Sequence, residues 1–506
     1  EIGDGNIAIG YQSMQNANAA GFHRNTALGY QTMQGVGSNS ATDNSVFGYR
    51  AGYSLTTGDN NTFLGVSAGA ASTDVDRAVA IGTEAMGADN ATSAADGTVA
   101  VGWRAGYSIS SGQFNTAIGY EALKTEDTGD FNTAVGYQAL TTQNRDGTVG
   151  NTAFGYKAGY AVTTAYSATI MGINAGVALT EGHDNTLIGA NTADSLTTGD
   201  YNTAVGAGAL NSEDVGRGTT AIGFQSLYNQ NSDSNDEVTG NTAVGMYSGY
   251  DVTTGTKNTF LGYQAGSAIT TGIGSTFIGY QAGYQSEGSY SVIIGDRAFD
   301  ASTDSTSISN VIIGANAGSA INAGYSSDNV FIGYDAGLGG SGRIHSNVAI
   351  GRNAMKSTAG NPQTGTVAIG YEALTALTSG SENVAIGYEA GKAMTEGTGN
   401  VAIGYRALLK ANHYDADFNI GIGVGVGSEI LNGYYNVLIG YNSGNTLTSG
   451  GENTIVGHNC DVASGDNTNN IIIGNGLTAS DNDNRVYIGN DSSYIYNDFN
   501  SNNTWT

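Results

Sequence analysis

Five histidines, one cysteine and 44 carboxylates are the residues of this 506-residue chain best able to do chemistry. His23, His183, His345, His413 and His458 lie far apart, in no metal-ligand spacing. Cys460 has no second cysteine to pair with, so it implies neither a disulfide framework nor a redox centre, and reads as a small buried filler. The run Gly387-Tyr388-Glu389-Ala390-Gly391-Lys392 has the outline of a phosphate loop. It is one residue short and lacks the following hydroxyl residue that would meet Mg²⁺. Gly421-Ile422-Gly423-Val424-Gly425 is glycine-rich but no helical pattern follows it. Carboxylates for glycoside hydrolysis abound, yet nothing in their spacing sets two at the required separation. The densest acidic stretch runs from Asn231 to Glu237. There Asp233, Asp236 and Glu237 form a candidate binding loop that would offer hard oxygen ligands to Ca²⁺; a solvated loop is the reading preferred for the same residues. The expectation is a non-enzymatic chain with no catalytic residue, metal or cofactor.

What the chain does repeat is a phrase. Asn115-Thr116-Ala117-Ile118-Gly119-Tyr120-Glu121-Ala122 returns as Asn132-Thr133-Ala134-Val135-Gly136-Tyr137-Gln138-Ala139. Anchored on its glycine, the phrase occurs 28 times between Gly10 and Gly489, with 15 intervals of 17 residues and seven of 19. A fixed period of this size is the signature of a solenoid, each repeat forming one coil stacked on the last. Two intervals are long: Gly82 to Gly102, and Gly223 to Gly245, which holds the acidic stretch. Insertions of this kind map to surface loops. From about Gly295 to Gly370 the period drifts to 18 or 19 residues, where the coil is expected to change twist or width.

Taking the glycine as position zero, position −1 is apolar in all 28 copies and −3 is mostly Thr or Val. Alternate strand residues share a face, so −3 and −1 are expected to line the inside of the coil. Position −2, Ala in 14 copies, would then face outward with the glycine. Small outward residues in register let another backbone approach, and a neighbouring chain is the expected occupant. The competing reading has Ala and Gly fitting a tight bend against a second wall of the same coil. Two ladders follow from the repeat. Tyr stands at +1 in 13 copies, including Tyr11, Tyr120, Tyr137, Tyr263, Tyr371 and Tyr405, and rings about 4.8 Å apart can stack. Asn stands at −4 in 20 copies, including Asn61, Asn202, Asn329 and Asn453. Asparagine tolerates left-handed backbone angles and can bond its equivalent one coil away.

These patterns predict an all-β chain: a parallel β-solenoid, or β-roll, of about 28 coils with a period near 17, packed as a homotrimeric rod. Residues 1–489 form the repeat shaft and 490–506 a C-terminal capping segment. The 79 glycines and the period-2 pattern argue against helices. A formal charge of −27 should repel nucleic acid and anionic membranes, and no apolar run approaches the length of a membrane span. Because the chain opens inside a coil, Glu1 is not expected to be the translational start.

The phrase Asn-x-Ala-Ile-Gly, as in Asn347-Val348-Ala349-Ile350-Gly351 and Asn400-Val401-Ala402-Ile403-Gly404, resembles the β-roll heads of trimeric autotransporter adhesins. In that family three chains pack side by side. The longer Asn-Thr-Ala-Val-Gly-Tyr-x-Ala-Leu form is similar to repeats in bacteriophage tail fibres. The C-terminal run through Tyr494 and Tyr496 to Asn503-Thr504-Trp505-Thr506 resembles the segment before the self-cleaving intramolecular chaperone of endosialidase-type phage fibres. On that resemblance Thr506 would be a processed end, and Ser-Asp and a helical chaperone would follow it in the gene. The resemblances imply a homotrimeric fibre on a virion, or an extracellular or cell-surface adhesin or filament, presenting loops to a host-surface glycan or protein receptor. A polysaccharide-cleaving tailspike is the enzymatic alternative. A monomeric ice-binding solenoid is a third, suggested by 13 Thr at −3 and weakened if those threonines point inward.

Overall fold

β-branched residues ahead of a fixed glycine should yield one short strand per repeat. The computed structural model describes residues 4–498 apart from 18–20, 36–39, 89–90, 93–94, 235–236, 302–306, 322–323, 341, 358–361 and 481–482. In it the chain falls into two compact units, Glu1–Thr256 and Lys257–Thr506. In the first unit, strands recur from Ile7–Ile9 to Thr242–Val244, and within the unit the strands of successive repeats pair in parallel. Register is strict: Thr116 faces Thr133, Ala117 faces Ala134 and Ile118 faces Val135. In the second unit the same ladder runs from Thr259–Leu261 to Arg485–Asn490. There Ser493–Asp498 turns back antiparallel against Arg485–Asn490 and covers the open sheet edge. Each unit is a parallel β-solenoid with a period near 17 residues, and no α-helix occurs among the described residues.

Turn geometry closes each coil. Left-handed backbone recurs at −5, zero, +2 and +4, as in Phe114 (φ 54°), Gly119 (φ 133°), Glu121 (φ 52°) and Leu123 (φ 50°). At Gly119 a β-carbon would strike the carbonyl of Gly136 one coil on, so both the angle and the close stacking demand glycine. Asparagine at −4 is not left-handed, contrary to the expectation for its backbone; the residue before it takes that role.

The two faces of the strand are the reverse of those expected. Ala117 is fully buried inside its coil, whereas Ile118 is 38% exposed and Thr116 half-buried. The same alternation marks Thr203–Val205, Val348–Ile350 and Val401–Ile403. Position −2 is small because of what fills the coil from the other side, so the second-wall reading was the right one. Opposite Ala27, Ala117, Ala134 and Ala221 stand Met33, Leu123, Leu140 and Leu227 at +4, all buried. Where −2 is Phe (Phe63, Phe260, Phe277, Phe331), +4 is Gly69, Gly266, Gly283 or Gly337, and a β-carbon there would run into the ring. In these coils a large residue at one position is matched by a small one at the other, while elsewhere both are small, as in Ala100 with Gly106, or both large, as in Ile293 with Phe299. Buried apolar residues at +7, such as Leu55, Ile109, Leu179 and Ile269, complete the interior.

Candidate self-association face

Because −2 points inward, −3 and −1 form the outer face of the ladder. In the first unit eight successive repeats, from Thr116 to Thr242, carry Thr at −3; in the second, seven successive repeats, from Val292 to Val401, carry Val. Beside them runs the −1 row, with Leu28, Leu64, Ile118, Phe154, Met171 and Ile222 exposed in the first unit and Leu261, Ile386 and Ile422 in the second. The chain has 44 acidic and 17 basic residues, and none of them stands at −3 or −1. An uncharged, largely apolar strip repeating every ~4.8 Å is left facing water.

Both expected ladders are present. Tyr11 stacks on Tyr30 at 5.1 Å, Tyr120 on Tyr137 at 5.0 Å and Tyr263 on Tyr280 at 5.3 Å. Tyr371 and Tyr405 flank Tyr388 at 5.0 and 5.5 Å. These rings border the −1 row on its glycine side. Asn61 donates its backbone N–H to Asn44 Oδ1 (2.8 Å), and Asn202 does so to Asn185 Oδ1 (2.9 Å). Asn329 and Asn453 give both backbone and side-chain N–H groups to the Oδ1 of Asn310 and Asn436. The Nδ2 of each of these four asparagines also reaches a carbonyl of the next coil, for example Asn61 to Val75 O at 2.7 Å. This row lies in the interior, where it satisfies the corner backbone.

Position +2 carries a third ladder, of charge, that the sequence reading did not single out. Glu84 pairs with Arg104 (2.5 Å), and Glu121 accepts from Gln138 (2.9 Å). Lys392 bridges Glu372 (2.6 Å) and Glu389 (2.8 Å), and Arg406 meets Glu389 at 2.6 Å. Hydrogen bonds from Lys392, then from Arg406, hold the Glu389 carboxyl below the usual carboxylate range. Lys392, the lysine of the phosphate-loop lookalike, is therefore occupied in an ion-pair network on a turn.

Two buried carboxylates were also missed. Glu126 and Glu213 occupy +7, usually an apolar place, and each is followed one coil later by glutamine. Glu126 accepts the Gly129 N–H (2.7 Å) and the Gln143 Nε2 (2.9 Å); Glu213 accepts the Gly216 N–H (2.7 Å) and the Gln230 Nε2 (2.8 Å). Burial pushes the Glu126 carboxyl up. The signal was a charged residue at an interior repeat position with an amide exactly one period away.

Of the candidate binding loop, Asp233 is exposed and its backbone N–H donates to Glu237 Oε2 at 3.1 Å, while Asp236 lies outside the described residues. Among the described residues no three His, Cys, Asp or Glu side chains form a group able to hold a metal ion. Cys460 is fully buried, as its repeat position predicts. His183 sits between Tyr166 (4.6 Å) and Tyr201 (5.1 Å), and His458 stacks on Tyr441 (5.2 Å). These histidines take ladder positions.

A scan against protein-family models finds no match, and a search of curated proteins finds none either.

Proposed function

We propose that the chain is a non-enzymatic structural and adhesive fibre, of the kind found as a phage tail fibre or similar surface fibre, that assembles as a homotrimer through its −3/−1 face. The observation that carries this reading is the outward, charge-free apolar strip. A partner must match its repeat along many coils, and another copy of the same chain does so by construction. Burying ~40 Å² of apolar surface per coil contributes about 1 kcal/mol. Over the 14 coils of one unit that sums to about 14 kcal/mol, enough to offset most or all of the ~4–15 kcal/mol cost of association. Light scattering should give three times the 51.5 kDa chain mass; a stable monomer overturns the reading.

A second reading draws on the outward threonines. The objection that they point inward is removed, since Thr116 to Thr242 lie on the outer face. A regular Thr row beside an aliphatic row would also suit an ice-binding monomer. Thermal hysteresis in a monomeric sample would favour that reading, and its absence in a trimeric one the fibre.

A further inference from the structure

The stretched repeats of the second unit open a groove of about 720 Å³ on the solenoid surface. Four consecutive coils line it, those closed by Gly314, Gly333, Gly351 and Gly370, whose spacings are 18 and 19 residues. The short strands Ile344–His345 and Gln363–Thr364 pair in parallel there, with Ile344 and Gln363 buried. Their neighbours on either side point outward, which puts Tyr325, Arg343 and Pro362 in one row and His345 and Thr364 in the next.

The Arg343 guanidinium lies 4.8 Å above the Tyr325 ring and makes no ion pair with any described residue. Tyr325 is 58% exposed at φ 64°, a costly backbone angle for a bulky side chain. His345 Nδ1 lies 3.6 Å from Asp328 Oδ2. Arg50, Arg145, Arg297 and Arg352 also lie over tyrosine rings without a salt bridge among the described residues; Arg343 is the one of these five that lines this groove. Stacking pre-orients the planar fork, so little freedom is lost when it meets an anion. Ile308 and Pro362 supply apolar surface, and Asp328 and Thr364 supply partners for hydroxyls.

We propose that this groove binds a carboxylate-bearing sugar, with Arg343 taking the carboxylate, Ile308 and Pro362 the apolar ring face, and Asp328 and Thr364 the hydroxyls. The assignment rests on the adhesive reading and narrows its receptor to an acidic glycan. The test titrates the full chain, at low salt, with N-acetylneuraminic acid, glucuronic acid and glucose, read by calorimetry or saturation-transfer NMR. At least one acidic sugar should bind at least tenfold more tightly than glucose. Arg343→Ala should weaken that binding at least tenfold with the melting temperature unchanged, and Arg343→Lys should restore part of it. Equal binding of glucose, no binding of either acid, or binding untouched by Arg343→Ala overturns the site. Mass is measured on the same samples. A trimer that binds no acidic sugar overturns the groove alone, and a monomer that binds one overturns the fibre alone.

Discussion

Ala221 and Ile222 are consecutive, yet Ala221 is wholly enclosed in its coil while Ile222 is 37% exposed. One substitution at each therefore separates folding from assembly. Ala221→Glu places a charge in a filled interior beside Leu227, which costs several kcal/mol and should abolish the cooperative melt of the first unit. Ile222→Glu should leave far-UV circular dichroism intact while lowering the mass seen by light scattering, more so when Val205 is changed as well. If both variants remain full-mass assemblies, the −1 row is not the contact surface.

Backbone stacking at the glycine row leaves no room for a methyl group. Gly119→Ala combines a left-handed angle with contact against the Gly136 carbonyl. It is expected to lower stability by about 1–3 kcal/mol, read as a shift in urea midpoint. Gly147→Ala meets no neighbouring atom and carries only the backbone cost of its φ of 78°, so its shift should be smaller.

Glu126 and Gln143 should behave as a unit. Glu126→Gln sets two amide donors against each other and is expected to cost about 1–3 kcal/mol. The double change Glu126→Leu with Gln143→Leu restores the apolar +7 row found at Ile109 and Leu179, and should recover most of that loss. A double variant no better than the sum of its single changes in thermal melts would show the pair to be uncoupled.

Acid should weaken the Glu389 network. Its carboxyl titrates below the ordinary 4.5 because Lys392 and Arg406 bond the charged form. The folded state thus binds fewer protons than the unfolded one near that pH. The network's contribution is complete above pH 4.5 and fades as pH falls through the lowered value. The gap in melting temperature between the parent and Glu389→Gln should therefore be widest near pH 7 and close toward pH 3. Glu126, whose carboxyl is pushed up, has the opposite sign: its ionisation in the fold weakens stability as pH rises above the ordinary 4.5.

The repeat of Asn, a β-branched residue, Gly and Tyr was enough to establish coils, parallel in-register pairing and the Tyr and Asn ladders, because each follows from a fixed period and local chemistry. Which side of the strand is inside was not determined by it. No charged residue stands at −3, −2 or −1, most residues there are apolar or β-branched, and a period of two has no preferred face when neither side is charged. Only closure of the coil decides, by bringing +4 and +7 across to −2, as the pairing of Phe63 with Gly69 and of Ala117 with Leu123 shows. The Glu126–Gln143 bond and the Tyr325–Arg343 stack join residues one coil apart on elements whose direction the turns set. Their partners are legible only once the left-handed corners have fixed which side chains point in and which point out.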